Sequence, residues 1–195
     1  TIDIMNYLKQ HLREHIEIAK NIDLKKILLI VNFLHELRKK NGRLFILGVG
    51  GSAANASHAV NDFRKLCSIE SYAPTDNVSE LTARTNDEGW ITVFENWLKI
   101  SKVSKRDALL IFSVGGGDIK KKVSENIVRA IKYAKNQKSK ILSIVGRSEG
   151  YAGKNSDISI IIPNINKKNV TPHSEAYQSV IWHMIISHPK IKQYK

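Results

Sequence analysis

Residues Leu44–Leu47 form a four-residue apolar run, and Gly48-Val-Gly-Gly-Ser52 follows at once. The run is too short for a helix, is bounded by glycine, and predicts a buried strand. Gly48, Gly50 and Gly51 let the chain turn tightly and let its backbone approach a ligand with no Cβ in between. Ser52 stands where an N-cap is expected, ahead of a helix predicted from about Ala53 to Leu66. A strand, a glycine turn and a helix N-terminus in that order present unpaired amides and the positive end of the helix dipole. Such an arrangement binds anions, phosphate above all.

The same punctuation recurs down the chain. Ala108–Phe112 is a second apolar run, ended by Ser113-Val-Gly-Gly-Gly-Asp118; Ile141–Val145 ends at Gly146, and Ile158–Ile162 ends at Pro163. Between the runs lie helical spacings: Val123, Ile127, Ala130, Ile131 and Ala134 within about 121–135, and a final helix from Ser174 to about Ser187. Val78–Thr85 and Trp90–Leu98 read as short helices, with Asn86-Asp-Glu-Gly89 as a turn between them. Strands alternating with helices predict an α/β fold: a three-layer sandwich around a central parallel sheet, binding ligands at the carboxyl ends of its strands. Helices come first. Asp3 to about Lys40 carries Ile4, Leu8, Leu12, His15, Ile16 and Ala19, then Leu24, Ile27, Leu28, Val31, Leu34 and Leu37, with Asp23 placed to cap the second helix.

A length of 195 residues suits one domain with one filled core. The net charge of +13 raises the question of nucleic acid. Its lysines are scattered, however, and lack the interleaved aromatics of an RNA-binding sheet, so a solvated surface that attracts anionic small molecules is expected instead. No apolar run approaches the roughly 20 residues needed to span a bilayer. Thr1–Lys20 lacks the pattern of a secretory leader, and the one cysteine, Cys67, suits a reducing compartment; the cytoplasm is the expected location. Cys67 reads as a packing residue, and Trp90, Trp97 and Trp182 as core or interface aromatics.

Gly48-x-Gly50-x-x-Ala53 comes close to a dinucleotide fingerprint, but the long helices ahead of the strand argue against that fold. The second loop favours phosphate, because three adjacent glycines offer amides for an anion nest. His58 and Asp62 are four apart and share a helix face. On the C-terminal helix Glu175 and His183, eight apart, make a matching pair, with Gln178 near the same side. Two histidines and two carboxylates on two helices suit zinc or another divalent metal, whereas His173, His188 and His35 stand without such partners.

At these residues the chain resembles the SIS (sugar isomerase) domain family, and within it the phosphoheptose isomerases. The likeness covers the N-terminal helices, Gly50-Gly-Ser52, His58, Asn86-Asp-x-Gly89, the Ser113 loop, Gly146 and the final helix with His183. It implies a cytoplasmic homotetramer with active sites between subunits, assembled through residues 1–40 and carrying its phosphosugar site in 41–195. The implied reaction converts sedoheptulose 7-phosphate to D-glycero-D-manno-heptose 7-phosphate, toward lipopolysaccharide or capsule. The alternatives are isomerisation of another sugar phosphate, or sugar-phosphate binding without turnover. Carried over by position, Gly50, Gly51, Ser52, Ser113, Gly115, Gly116, Gly117 and Asp118 would meet the phosphate, and Asn86 and Asp87 the sugar. His58, Asp62, Glu175 and His183 would hold zinc, with Asp62 as base and His183 as acid. Three departures mark a divergent branch. Asp62 and Glu175 stand where the family usually has Glu and Gln, and the Ser113–Asp118 loop replaces Ser-Thr-Ser-Gly-x-Ser.

Overall fold

The computed structural model describes residues 4–193; Asp3, read as the first helical position, lies outside them. Helices α1 (Ile4–Asn21) and α2 (Leu24–Lys39) come first, and Asp23 caps α2 by accepting the Lys26 N–H at 3.0 Å. Strand β1 (Leu44–Leu47) then leads through the glycine turn into α3 (Gly51–Cys67). After β2 (Ser71–Tyr72) come α4 (Val78–Glu88) and α5 (Val93–Ile100), then β3 (Ala108–Ser113) and α6 (Glu125–Asn136). The chain continues through β4 (Lys140–Val145), α7 (Tyr151–Asn155) and β5 (Ile158–Ile161), and closes with α8 (Val170–Ser187).

The five strands form one all-parallel sheet in the order β2-β1-β3-β4-β5. Each of the four longer strands coincides with an expected apolar run. Two residues long, at the sheet edge, β2 carries too little pattern to be read in advance. Asn86, Asp87 and Glu88 are the last turn of α4 rather than a loop, and Gly89 ends that helix at φ 84°.

Alternation along the strands sorts the core into two layers. Leu44, Ile46, Leu110, Phe112, Leu142 and Ile144 face α2, α3 and α8, which bring Leu34, Phe63, Ile181 and Trp182. Phe45, Leu47, Leu109, Ile111, Ile141 and Val145 face α5, α6 and α7, which bring Phe94, Leu98, Ile127 and Ile131. Burial on both faces explains why these strands are unbroken apolar runs. Arg43 and Asp107, just ahead of β1 and β3, join those strands' starts through a 2.9 Å ion pair. Cys67 is fully buried; burial pushes its thiol up to about 11, which fits a packing residue. Among the described residues no helix is long and apolar enough to cross a membrane.

Candidate active site

Helices α3 and α8 run in the same direction, side by side. Asn55 Nδ2 donates to the Glu175 carbonyl at 2.9 Å and to Gln178 Oε1 at 3.0 Å, and farther along the Cys67 thiol donates to the Ile186 carbonyl at 3.6 Å. This register brings His58 and Asp62 of α3 opposite His183 of α8. The three ligand atoms lie within 4.8 Å of one another. Asp62 Oδ2 is 3.6 Å from His58 Nε2 and 3.8 Å from His183 Nε2, while Oδ1 accepts from Asn61 at 2.9 Å.

Those separations are too long for direct hydrogen bonds. They lie slightly beyond the edge of a tetrahedron with metal–ligand bonds of about 2.0–2.1 Å, which is roughly 3.4 Å. His183 is prepared for such a role. Its Nδ1 lies 2.8 Å from the Ser179 carbonyl oxygen, which can only accept, so Nδ1 carries the proton and Nε2 is left with its lone pair. Both imidazoles rest on the buried indole of Trp182, whose ring lies 3.5 Å from that of His183 and 4.7 Å from that of His58, centroid to centroid. Two imidazoles and a carboxylate are a donor set that zinc accepts in open, three-ligand sites.

Glu175 lies elsewhere. Its carboxylate sits over Gly51, 2.6–2.7 Å from where a Cβ of residue 51 would stand. It thus lies at the N-terminus of α3 and outside the group of His58, Asp62 and His183. Gly50, at φ 62°, is the N-cap, which corrects the expectation for Ser52: the serine belongs to the first helical turn and is 2% exposed. The amides of Ala53 and Ala54 go to the Gly50 carbonyl, leaving those of Gly51 and Ser52 outermost. A carboxylate is well placed at that positive end.

The loop after β3 is more self-satisfied than an open nest. Ser113 Oγ accepts the Gly116 N–H at 2.9 Å, and the Asp118 N–H goes to the Val123 carbonyl. The Asp118 carboxylate turns onto its own loop, where the amides of Lys121 and Lys120 hold it below the usual range. The carbonyls of Gly116 and Gly117 receive the Ala152 and Tyr151 amides at the start of α7. Between these loops lies a cavity of about 270 Å³ lined by Gly115, Gly117, Lys121 and Arg147. Asn86 and Asp87 bond to each other and lie exposed on α4, which buries no side chain.

A model of the SIS domain matches residues 6–146. The chain belongs to the SIS domain family. Among relatives of this SIS chain, a lincomycin biosynthesis protein from Streptomyces lincolnensis is 30% identical over 154 residues, covering 74% of the chain and about half (54%) of that relative. A phosphoheptose isomerase from Helicobacter pylori is 31% identical over 139 residues, 69% of each sequence. The solved phosphoheptose isomerase of Neisseria gonorrhoeae has the same fold, with a TM-score of 0.80 at 22% identity, covering 94% of this chain and 97% of that one.

Several residues at the site were not anticipated from the sequence. Ser179 fixes the His183 tautomer, Asn55 ties α3 to α8, and Trp182 backs both histidines while filling the core. The signal for Ser179 was its spacing of four from His183; Trp182, fully buried, gave no sign of its second contact.

Proposed function

We propose that this SIS protein is an aldose–ketose isomerase that converts sedoheptulose 7-phosphate to D-glycero-D-manno-heptose 7-phosphate. The convergence of His58, Asp62 and His183, with Nδ1 of His183 engaged by Ser179, carries the reading. A pure binding module needs the glycine loops but no such group. Relatives named phosphoheptose isomerase support it.

The reaction moves two protons and loses none. Asp62, with Oδ2 open toward the site, takes a proton from C1 of the ketose to give an enediol and returns it to C2. The O1 hydroxyl gives up its proton as O2 gains one, and His183 serves that exchange. His58, Asp62 and His183 would hold zinc, which when bound polarises the carbonyl and steadies the developing oxyanion. A single atom does not hold a metal and move a proton at once, so in any one state His183 Nε2, and likewise Asp62 Oδ2, does one of the two.

At the other end of the substrate, the α3 N-terminus and the basic side chains of Lys121 and Arg147 around the β3–α6 loop would meet the phosphate. Loss of the family's loop hydroxyls in favour of these side chains also suits a different sugar phosphate, the second reading. The apolar row of Ile4, Leu8, Leu12 and Ile16 is exposed on α1 and suits assembly with further copies, a tetramer in this reading. Asn86 and Asp87, exposed on α4, are open to a neighbouring copy and its sugar. Sites of this kind would act in the cytoplasm, in heptose synthesis for surface polysaccharide.

The test is turnover of sedoheptulose 7-phosphate by the purified chain, followed by NMR with and without EDTA. Aldoheptose 7-phosphate formed only without chelator supports the reaction and the metal together. Turnover that survives chelation removes the metal from the reading and leaves proton transfer as the role proposed for His183. No turnover by folded, zinc-loaded protein would remove this substrate from the reading.

A further inference from the structure

A second histidine cluster lies at the opposite end of α8. His11 and His15, one turn apart on α1, meet His173 in the first turn of α8, with ring centroids 4.7–4.9 Å apart. The sequence pattern had set His15 among apolar positions and left His173 without partners; both belong to this group. One ligand atom from each of the three lies within 4.8 Å of the others. His11 Nε2 and His15 Nε2 are hydrogen-bonded at 3.2 Å, a contact that a metal would replace, at a spacing close to the roughly 3.4 Å edge of a tetrahedron with bonds of about 2.0–2.1 Å.

His173 is 3% exposed, and its Nε2 lies 2.6 Å from Glu14 Oε2. Glu14 is itself buried and accepts from Asn166 at 2.7 Å, Asn169 at 2.9 Å and Gln10 at 3.2 Å. Three amide donors on this one buried carboxylate leave it as an acceptor toward His173 as well. An ionised carboxylate only accepts, so His173 Nε2 carries the proton and Nδ1 is left bare. That Nδ1 is buried with no hydrogen-bond partner, and so is Nδ1 of His11. Carboxylate to imidazole to an open ring nitrogen is how metal-binding histidines are commonly held in orientation.

We propose that His11, His15 and His173 form a second divalent-metal site, separate from the one at Asp62, that clips α1 to α8. Three imidazoles suit zinc, with cobalt or nickel as substitutes. His173 and His183 are ten residues apart, which puts the two sites about 15 Å apart along α8. The clip has a purpose in this fold. Within α1 only Glu14 and Ile18 are buried, so the helix has little apolar anchorage of its own.

The test uses the full chain with Asp62→Ala and His183→Ala, stripped of metal and titrated with Co²⁺ and Zn²⁺. The expected result is one equivalent bound per chain, a Co²⁺ absorption spectrum of tetrahedral type, and slower amide exchange across α1 once Zn²⁺ is added. His11→Ala or His15→Ala in that background should remove the bound equivalent. Both residues are only partly buried, and circular dichroism checks that each variant is folded. If the double variant does not fold, the count is made on the unaltered chain, where His11→Ala should lower bound zinc by one equivalent. A folded double variant that binds no metal, or binding that His11→Ala leaves unchanged, overturns the proposal.

Discussion

Nδ1 of His183 sits 2.8 Å from the carbonyl oxygen of Ser179, one turn earlier on α8, and that bond decides which nitrogen faces Asp62. With Nδ1 protonated, Nε2 is the nitrogen left open toward Asp62, 3.8 Å from its Oδ2. His183→Ala removes that atom from a side chain 44% exposed, so the fold should persist. Turnover should drop by about 10²–10⁴-fold. The check is kcat alongside circular dichroism, and near-normal kcat would take His183 out of the mechanism.

Asp62→Glu installs the residue that the family resemblance implies for this position, yet activity should fall. The Asp62 side chain is only 13% exposed, and its Oδ1 is engaged by Asn61. One more methylene shifts the carboxylate by roughly 1 Å, and such a misplacement costs up to about 10²-fold. A kcat equal to or above that of the unaltered chain would show that the site is not built around the shorter side chain.

Glu175→Gln takes a negative charge away from the N-terminus of α3, where the carboxylate lies over Gly51. A carboxylate there repels an incoming phosphate and at the same time steadies the helix dipole. The variant should therefore bind inorganic phosphate more tightly in calorimetry and lower KM for a phosphorylated sugar. Thermal stability should fall slightly, by about 0.3–1 kcal/mol. Unchanged phosphate affinity would put the anion site away from this helix end.

Asp107 is 4% exposed and accepts from the Arg43 guanidinium and from the amides of Arg43 and Ser104. Burial raises its pKa, but the Arg43 side chain and these amides outweigh it, and the net shift is downward. A lowered folded-state value gives stability that is complete above the unfolded pKa of about 4 and is lost as pH falls through the folded value. Asp107→Asn should cost about 1–3 kcal/mol near neutrality, since the charge-assisted bonds are lost. Its denaturant midpoint should also depend less on pH below about 4. Parallel acid limbs for the two proteins would exclude Asp107 as a source of acid lability.

The four longer strands were legible because a parallel sheet buries both faces and leaves unbroken apolar runs ending in glycine or proline. Boundaries slipped where backbone outweighed side chains. Glycine at positive φ moved the N-cap of α3 from Ser52 to Gly50, and Asn86 with Asp87 continued α4 despite their turn-forming character. Strand β2 and helix α7, two and five residues long, are set by their neighbours rather than by their own pattern.

At the site, the sequence alone determined that His58 and Asp62 share a face, because four residues make about one helical turn. It also determined that a glycine turn precedes their helix. Tertiary structure decided which residues join them. Glu175 and His183, eight apart, are separated by about 12 Å along α8. With α3 and α8 parallel, the first lies opposite Gly51 and the second opposite Asp62. The same docking of α8 drew His173 to His11 and His15, more than 150 residues away in the chain. Local periodicity sets the direction in which a side chain points; the register between packed helices sets what it meets there.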